Sequence, residues 1–96
     1  MQRPLLLRRV IGKSMAPKLR PGQLILATTI IRKLKPGQVI ILEKNDKQLI
    51  KRIERIEQDK LFVIGDNPDA STDSRHFGWL EKRYVVARVK WPKLAK

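Results

Sequence analysis

Residues 36–65 read PGQVIILEKNDKQLIKRIERIEQDKLFVIG, and the punctuation of this stretch decides the fold. Pro36-Gly37 opens an apolar, β-branched run over 38–42, Asn45-Asp46 separates it from a run over 48–56, and Gln58-Asp59 separates that from 61–64. Short Val/Ile/Leu segments bounded by Gly, Pro, Asn and Asp are strands joined by tight turns. Ile50, Ile53 and Ile56 recur at a spacing of three, which also suits a helix. The segment is short and flanked by turns, so a strand is preferred. Working outward, Pro21-Gly22 opens a similar run over 23–31, and 84–91 reads as a last strand that Pro92 ends. The Pro-Gly-Gln-(Leu/Val)-Ile pieces at 21–25 and 36–40 echo each other as two similar turn-to-strand passages, not as a duplication. The expected fold is mostly β: a compact, antiparallel single domain over residues 1–96.

Composition narrows the function. Ninety-six residues allow one domain with a modest core. A hydrophobic share of 42% beside 32% charged residues belongs to a folded chain rather than a disordered tail. The absence of cysteine removes disulfides, thiolate nucleophiles, iron–sulfur clusters and Cys-based zinc sites, and the single histidine, His76, excludes a multi-His metal centre. A membrane-spanning helix needs roughly 20 apolar residues. The longest apolar-leaning stretch, 24–31, carries two threonines, and Leu5-Leu6-Leu7 is followed at once by two arginines, too short a block for a secretion signal. Neither a transmembrane helix nor a leader is expected, and the expected location is cytoplasmic.

Lys and Arg total 22 against 9 Asp and Glu, a net charge of +13, and no acidic residue precedes Glu43. Such a field attracts nucleic acid, an anionic bilayer or an acidic polypeptide, although it also serves simply as a solubilising surface. Stacking platforms for single strands need more rings than Phe62, Phe77, Trp79, Tyr84 and Trp91 supply. With no helix-turn-helix, zinc finger or RNA-binding signature, no specific nucleic acid is expected.

Two segments resist a strand-and-turn account: GKSMAPKL at 12–19 and GDNPDASTDSRHFG at 65–78. A loop as long as the second, in a domain this small, is usually functional. A serine becomes a nucleophile only when a nearby base takes its proton. The candidate bases are His76, the carboxylates and the lysines. At a pKa near 10.4, fewer than about one lysine in a thousand is neutral at pH 7, and lowering that pKa by roughly three units costs about 4 kcal/mol. Lys51 is best placed for burial because Ile50 and Ile53 flank it. On a strand, Arg52 would face away and leave it without an adjacent cation. Composition alone does not select Lys51 among the twelve lysines.

Three boxes carry a resemblance. Ser14-Met15-Ala16-Pro17-Lys18-Leu19 resembles the Ser-Met-x-Pro-x-Leu box of the type I signal peptidases, which are serine–lysine endopeptidases. Lys51-Arg52-Ile53 resembles their Lys-Arg-(Val/Ile) box. Gly65-Asp66-Asn67 through Ser71, Asp73-Ser74-Arg75 and Gly78 is similar to their third box. The resemblance implies the catalytic-core β fold of that family, Ser14 as nucleophile and Lys51 as general base. It implies that Ser71 orients the lysine amine, that Asp73 and Arg75 form a supporting ion pair, and that Met15 lines the substrate cleft. The Ser14 backbone N–H would be one oxyanion donor. Where some members place a hydroxyl donor, this chain has Gly12. Where the family often has Pro-Gly-Asp, it has Pro21-Gly22-Gln23 and Pro36-Gly37-Gln38, changes expected to affect turns alone. The inserted second β domain of membrane signal peptidases is not expected here.

The spelling of the third box, with Trp91-Pro92 after it, is similar to the soluble maturation proteases of nickel-type superoxide dismutase. That resemblance implies removal of an N-terminal propeptide from a dismutase precursor by acyl-enzyme chemistry. His76 reads as a hydrogen-bonded or exposed loop residue. Asp66, Asp69 and Asp73 lack EF-hand spacing, so neither metal nor cofactor is expected. Two other readings stand beside this one: signal peptidase-like cleavage at the inner face of an anionic membrane, held there by basic charge, and a non-catalytic basic binding module.

Overall fold

Val39, Ile40, Ile41 and Leu42 are all buried in the computed structural model, which describes residues 4–94. A continuous apolar run takes this form when both faces of a strand are covered. The strands are β1 (Leu5–Arg9), β2 (Leu24–Thr28), β3 (Val39–Lys44), β4 (Lys47–Glu57), β5 (Lys60–Ile64), β6 (Leu80–Glu81) and β7 (Val85–Trp91). They form one antiparallel sheet in the order β1-β2-β7-β3-β4-β5-β6. A single turn of helix, α1 (Ser74–Phe77), and 3-10 turns at Pro68–Ala70 and Lys82–Tyr84 complete the fold. Among the described residues no helix is long and apolar enough to cross a membrane.

β3 divides two cores. Val39 and Ile41 pack with Val10, Met15, Leu19, Ile25, Ala27 and Ala87 on one side. Ile40 and Leu42 pack with Ile53, Leu61, Val63, Leu80 and Val85 on the other. The alternation of a strand places successive side chains on opposite faces, so one apolar run serves both cores.

The turns do what their residues require. Asn45 and Asp46 have φ of 54° and 63°, the two positive values of a type I′ hairpin turn, and they join β3 to β4 between Lys44 and Lys47. The two Pro-Gly-Gln passages form the same turn. Gly22 and Gly37 have φ of 87° and 95°, Gln23 N–H donates to Arg20 O, and Gln38 N–H donates to Lys35 O. Pro followed by a positive-φ Gly is the type II pattern. Each glutamine also accepts a bond through Oε1, from Arg20 N at 3.1 Å and Lys35 N at 2.9 Å. The amide oxygen therefore closes each turn where the family pattern has a carboxylate.

The spacing of three in β4 has a physical cause. Ile53 pairs with Val63 and Arg55 with Phe62, which leaves Glu54 as the extra residue of a β-bulge. The bulge returns Ile56 to the face of Ile53, whereas Ile50 packs on the other core. Two further strands are present: β1 takes in the short apolar block at 5–7 and continues through both arginines, and β6 is two residues long. The expected strand over 23–31 stops at Thr28, whose Oγ1 accepts from Ile30 N at 3.1 Å and turns the chain. Tyr84 belongs to the 3-10 turn rather than to β7.

Deleting Glu54 should remove the bulge and leave a regular ladder in which Ile53, Arg55 and Ile56 keep Val63, Phe62 and Leu61 as partners, so that Ile56 stays on its core. The expected change in stability is below about 1 kcal/mol, less than the scale of one buried isoleucine. Urea unfolding of the deletion variant checks it; a loss of about 2 kcal/mol or more would mean that Glu54 is not simply the extra residue of the ladder.

Candidate active site

The loop between β5 and β6 is organised by one buried carboxylate. Asp73 is wholly buried, and five donors reach it. Its Oδ2 accepts from Gly65 N at 2.7 Å, Ser71 Oγ at 2.6 Å and Arg75 Nη2 at 2.6 Å. Its Oδ1 accepts from Arg75 N at 3.1 Å and Arg75 Nε at 2.9 Å. Burial alone would push this carboxyl up, but the bonds from Arg75, Ser71 and Gly65 outweigh it and hold Asp73 well below the usual carboxylate range. Asp73 also caps α1, with His76 Nδ1 accepting from Asp73 N at 3.3 Å in a capping box. His76 thus has a local structural role.

An ionised carboxylate has no proton to give, so the Ser71 hydroxyl must donate to Asp73. Ser71 Oγ then accepts from Lys51 Nζ, 2.9 Å away. This fixes the direction of the amine: an N–H points at Ser71, and the lone pair of a neutral Lys51 is left free. Lys51 is only 3% exposed. Burial pushes its pKa down; the charge of Asp73 partly restores it, and Arg75 lowers it further. The expected separation of Lys51 from its neighbour also holds. Arg52 forms a bidentate pair with Asp66, Nε to Oδ1 at 2.9 Å and Nη2 to Oδ2 at 2.8 Å.

Ser14 reaches the same place through the backbone. Asn67 N donates to Ser14 O at 2.8 Å, and Asn67 Nδ2 donates to Lys13 O at 3.1 Å. A Cβ on Gly65 would lie 2.7 Å from Ser14 O and would overlap Ser71 Oγ, so the Ser14 and Ser71 segments close on either side of this glycine. No protein acceptor takes the Ser14 N–H among the described residues. Ser14 borders a cleft of about 280 Å³, whose apolar lining is Ile11, Ile41, Leu49 and Ile50. The hydrogen bonds of the described residues join Lys51 Nζ to Ser71 and not to Ser14 Oγ.

Met15 corrects the sequence reading. It does not line the cleft: it is 1% exposed and packs in the core with Val10, Leu19 and Ile25, its Sδ 3.5 Å from Asp66 N. A methionine on a turn between two strands fills the irregular space beneath that turn. Arg52, Asp66, Asn67 and Gly65 are the residues whose structural part sequence reasoning did not assign. Arg52 is 1% exposed and also donates to Gly37 O and Leu94 O. The available signal was the position of all four inside the second and third boxes.

Gly65→Ala should cost about 2 kcal/mol by overpacking, because the nearest neighbours are a backbone oxygen and a hydrogen-bonded serine that cannot retreat freely. Thermal unfolding measures it, and a neutral substitution would show that the approach is loose. Lys51 gives a second expectation. Its folded-state pKa lies below the ordinary value, so between the two the unfolded chain binds more protons and stability rises with pH. Lys51→Met should therefore raise Tm relative to wild type near neutral pH, with the gain shrinking as pH approaches about 10. A pH-independent difference would contradict the depressed amine.

No curated protein matches this chain. The three boxes are spelled like those of the signal peptidases, whereas the family model that matches is described as Peptidase S24-like and runs over residues 2–89; the chain belongs to the Peptidase S24-like family.

Proposed function

We propose that this protein is a serine–lysine endopeptidase with Ser14 as nucleophile and Lys51 as general base. One observation carries the reading: a buried lysine amine, held by Ser71 with its lone pair free, in a site that the Ser14 backbone enters through Asn67 and Gly65. Membership of a peptidase family supports it.

The chemistry follows from these groups. Neutral Lys51 takes the proton of Ser14 as its Oγ attacks the scissile carbonyl. Apo geometry is often looser than that of the substrate complex, and a lysine side chain is long enough to move from Ser71 toward Ser14 on binding. The unoccupied Ser14 N–H donates to the developing oxyanion. Protonated Lys51 then gives its proton to the leaving amine, and a water deprotonated by the same amine releases the acyl group from Ser14. Ser71 positions the base, and Asp73 with Arg75 positions Ser71.

The substrate on this reading is a precursor polypeptide, and the spelling of the third box favours the propeptide of a nickel superoxide dismutase precursor. Purified wild type, Ser14→Ala and Lys51→Met are to be incubated with that precursor and with a secretory precursor, and the products mapped by mass spectrometry. Each substitution should reduce cleavage by about a thousandfold or more. Ser71→Ala should impair cleavage without abolishing it. Activity should rise with pH through a midpoint below that of an ordinary lysine, because the neutral amine is the active form. Substantial cleavage by Ser14→Ala or Lys51→Met would overturn the mechanism. Cleavage of the secretory precursor alone would replace the dismutase substrate.

A further inference from the structure

Leu49 separates two hollows. On one side lies the cleft beside Ser14, bordered by Ile41, Gln48 and Ile50. On the other lies a hollow of about 540 Å³, floored by Leu42, Leu49, Phe77, Leu80 and Tyr84. The two lie largely against opposite faces of the β3–β4 hairpin. Leu49 and Lys51 share one face of β4, opposite Leu42 and Ile40 of β3, while Gln48 and Ile50 share the other. The second hollow is therefore on the Lys51 side. Thr72 also borders it, set between Ser71, which holds the Lys51 amine, and Asp73.

Its rim is basic. Lys44 and Lys47 stand at the two ends of the β3–β4 turn, and no acidic residue lines the hollow. Lys44 Nζ lies 4.9 Å from the centre of the Tyr84 ring, and the Arg83 guanidinium lies 5.0 Å from it. An apolar floor beneath cationic edges fits an apolar side chain adjoining acidic ones.

We propose that this hollow binds the part of the substrate that follows the scissile bond, with an apolar residue on the floor and acidic residues at the Lys44–Lys47 rim. The inference rests on the endopeptidase reading for its direction. The lysine that protonates the leaving amine must face the leaving segment, and Lys51 and Ser71 stand on the Thr72 side. The acyl half then lies in the Ser14 cleft and the leaving half crosses Thr72 into the second hollow.

The test reads binding on the full-length Ser14→Ala protein, so that no peptide is consumed. Short peptides with free amino termini are used, one beginning Ala-Leu-Asp-Glu, a second with lysines replacing both acids, and a third with serine replacing leucine. Calorimetry should give about tenfold tighter binding for the first than for either other peptide. Added Lys47→Glu should remove most of the preference for acid. Lys90→Glu, an equal change in net charge on β7 beside Gly37–Val39, at the end of β3 away from the Lys44–Lys47 turn, should leave it in place. Equal losses from both charge reversals, or indifference to leucine, would overturn the pocket by reducing the effect to overall charge. Thermal unfolding of each variant confirms that binding is read on folded protein. Cleavage is read separately on wild type: its failure overturns the endopeptidase reading, whereas failure of the peptide preferences with cleavage intact overturns the pocket alone.

Discussion

The Asp73 carboxylate is the constraint from which the site is built. A buried anion needs its acceptor sites filled, and here a guanidinium, a hydroxyl and two backbone amides fill them. In meeting that requirement the loop acquires its shape. Gly65 is drawn in at the end of β5, Ser71 is turned with its hydroxyl proton inward, and α1 begins at a capped Asp73. The orientation of Lys51 is a consequence: an amine beside a hydroxyl whose proton is already committed can only donate to it. A carboxylate that does not touch Lys51 thereby determines where the lysine lone pair is available.

Three segments distant in sequence are held together by bonds of different kinds. Asn67 ties the third box to the first through the carbonyls of Lys13 and Ser14. The bidentate Arg52–Asp66 pair ties the third box to β4, one residue beyond Lys51. Gly65 lets the Ser14 backbone and Ser71 approach across a gap that no side chain could share. Buried charges of this kind add little to stability unless every partner is in place, but they specify geometry. Here they fix the register of three boxes against one another within a small core.

Much of this was legible in the sequence because the relevant signals are local. Turn residues at 21–23, 36–38 and 45–46 announced the strands, whereas the service of the β3 run to two cores is seen only in the packing. The bulge at Glu54 was visible only as an anomaly, since a period of three in a strand makes sense once one residue is unpaired. β1 escaped notice because its side chains alternate between exposed and half-buried, and two of its five residues are arginines. Lys51, Ser71, Asp73 and Arg75 do lie together as their boxes implied. Met15 does not lie where its box implied, because whether a residue on a turn faces core or cleft depends on tertiary packing rather than on spacing. The Arg52–Asp66 pair likewise had no local sign, since its partners lie on different elements.

Lys51 as a base whose amine titrates below the ordinary lysine range is tested most directly by a site-resolved titration. Protein carrying ¹³C at the lysine ε-carbons would be followed by NMR through the alkaline range, with Lys51→Met identifying the signal. One lysine should titrate clearly below the others, with a midpoint that moves when Asp73 is replaced by Asn. A Lys51 signal that titrates with the surface lysines would contradict it.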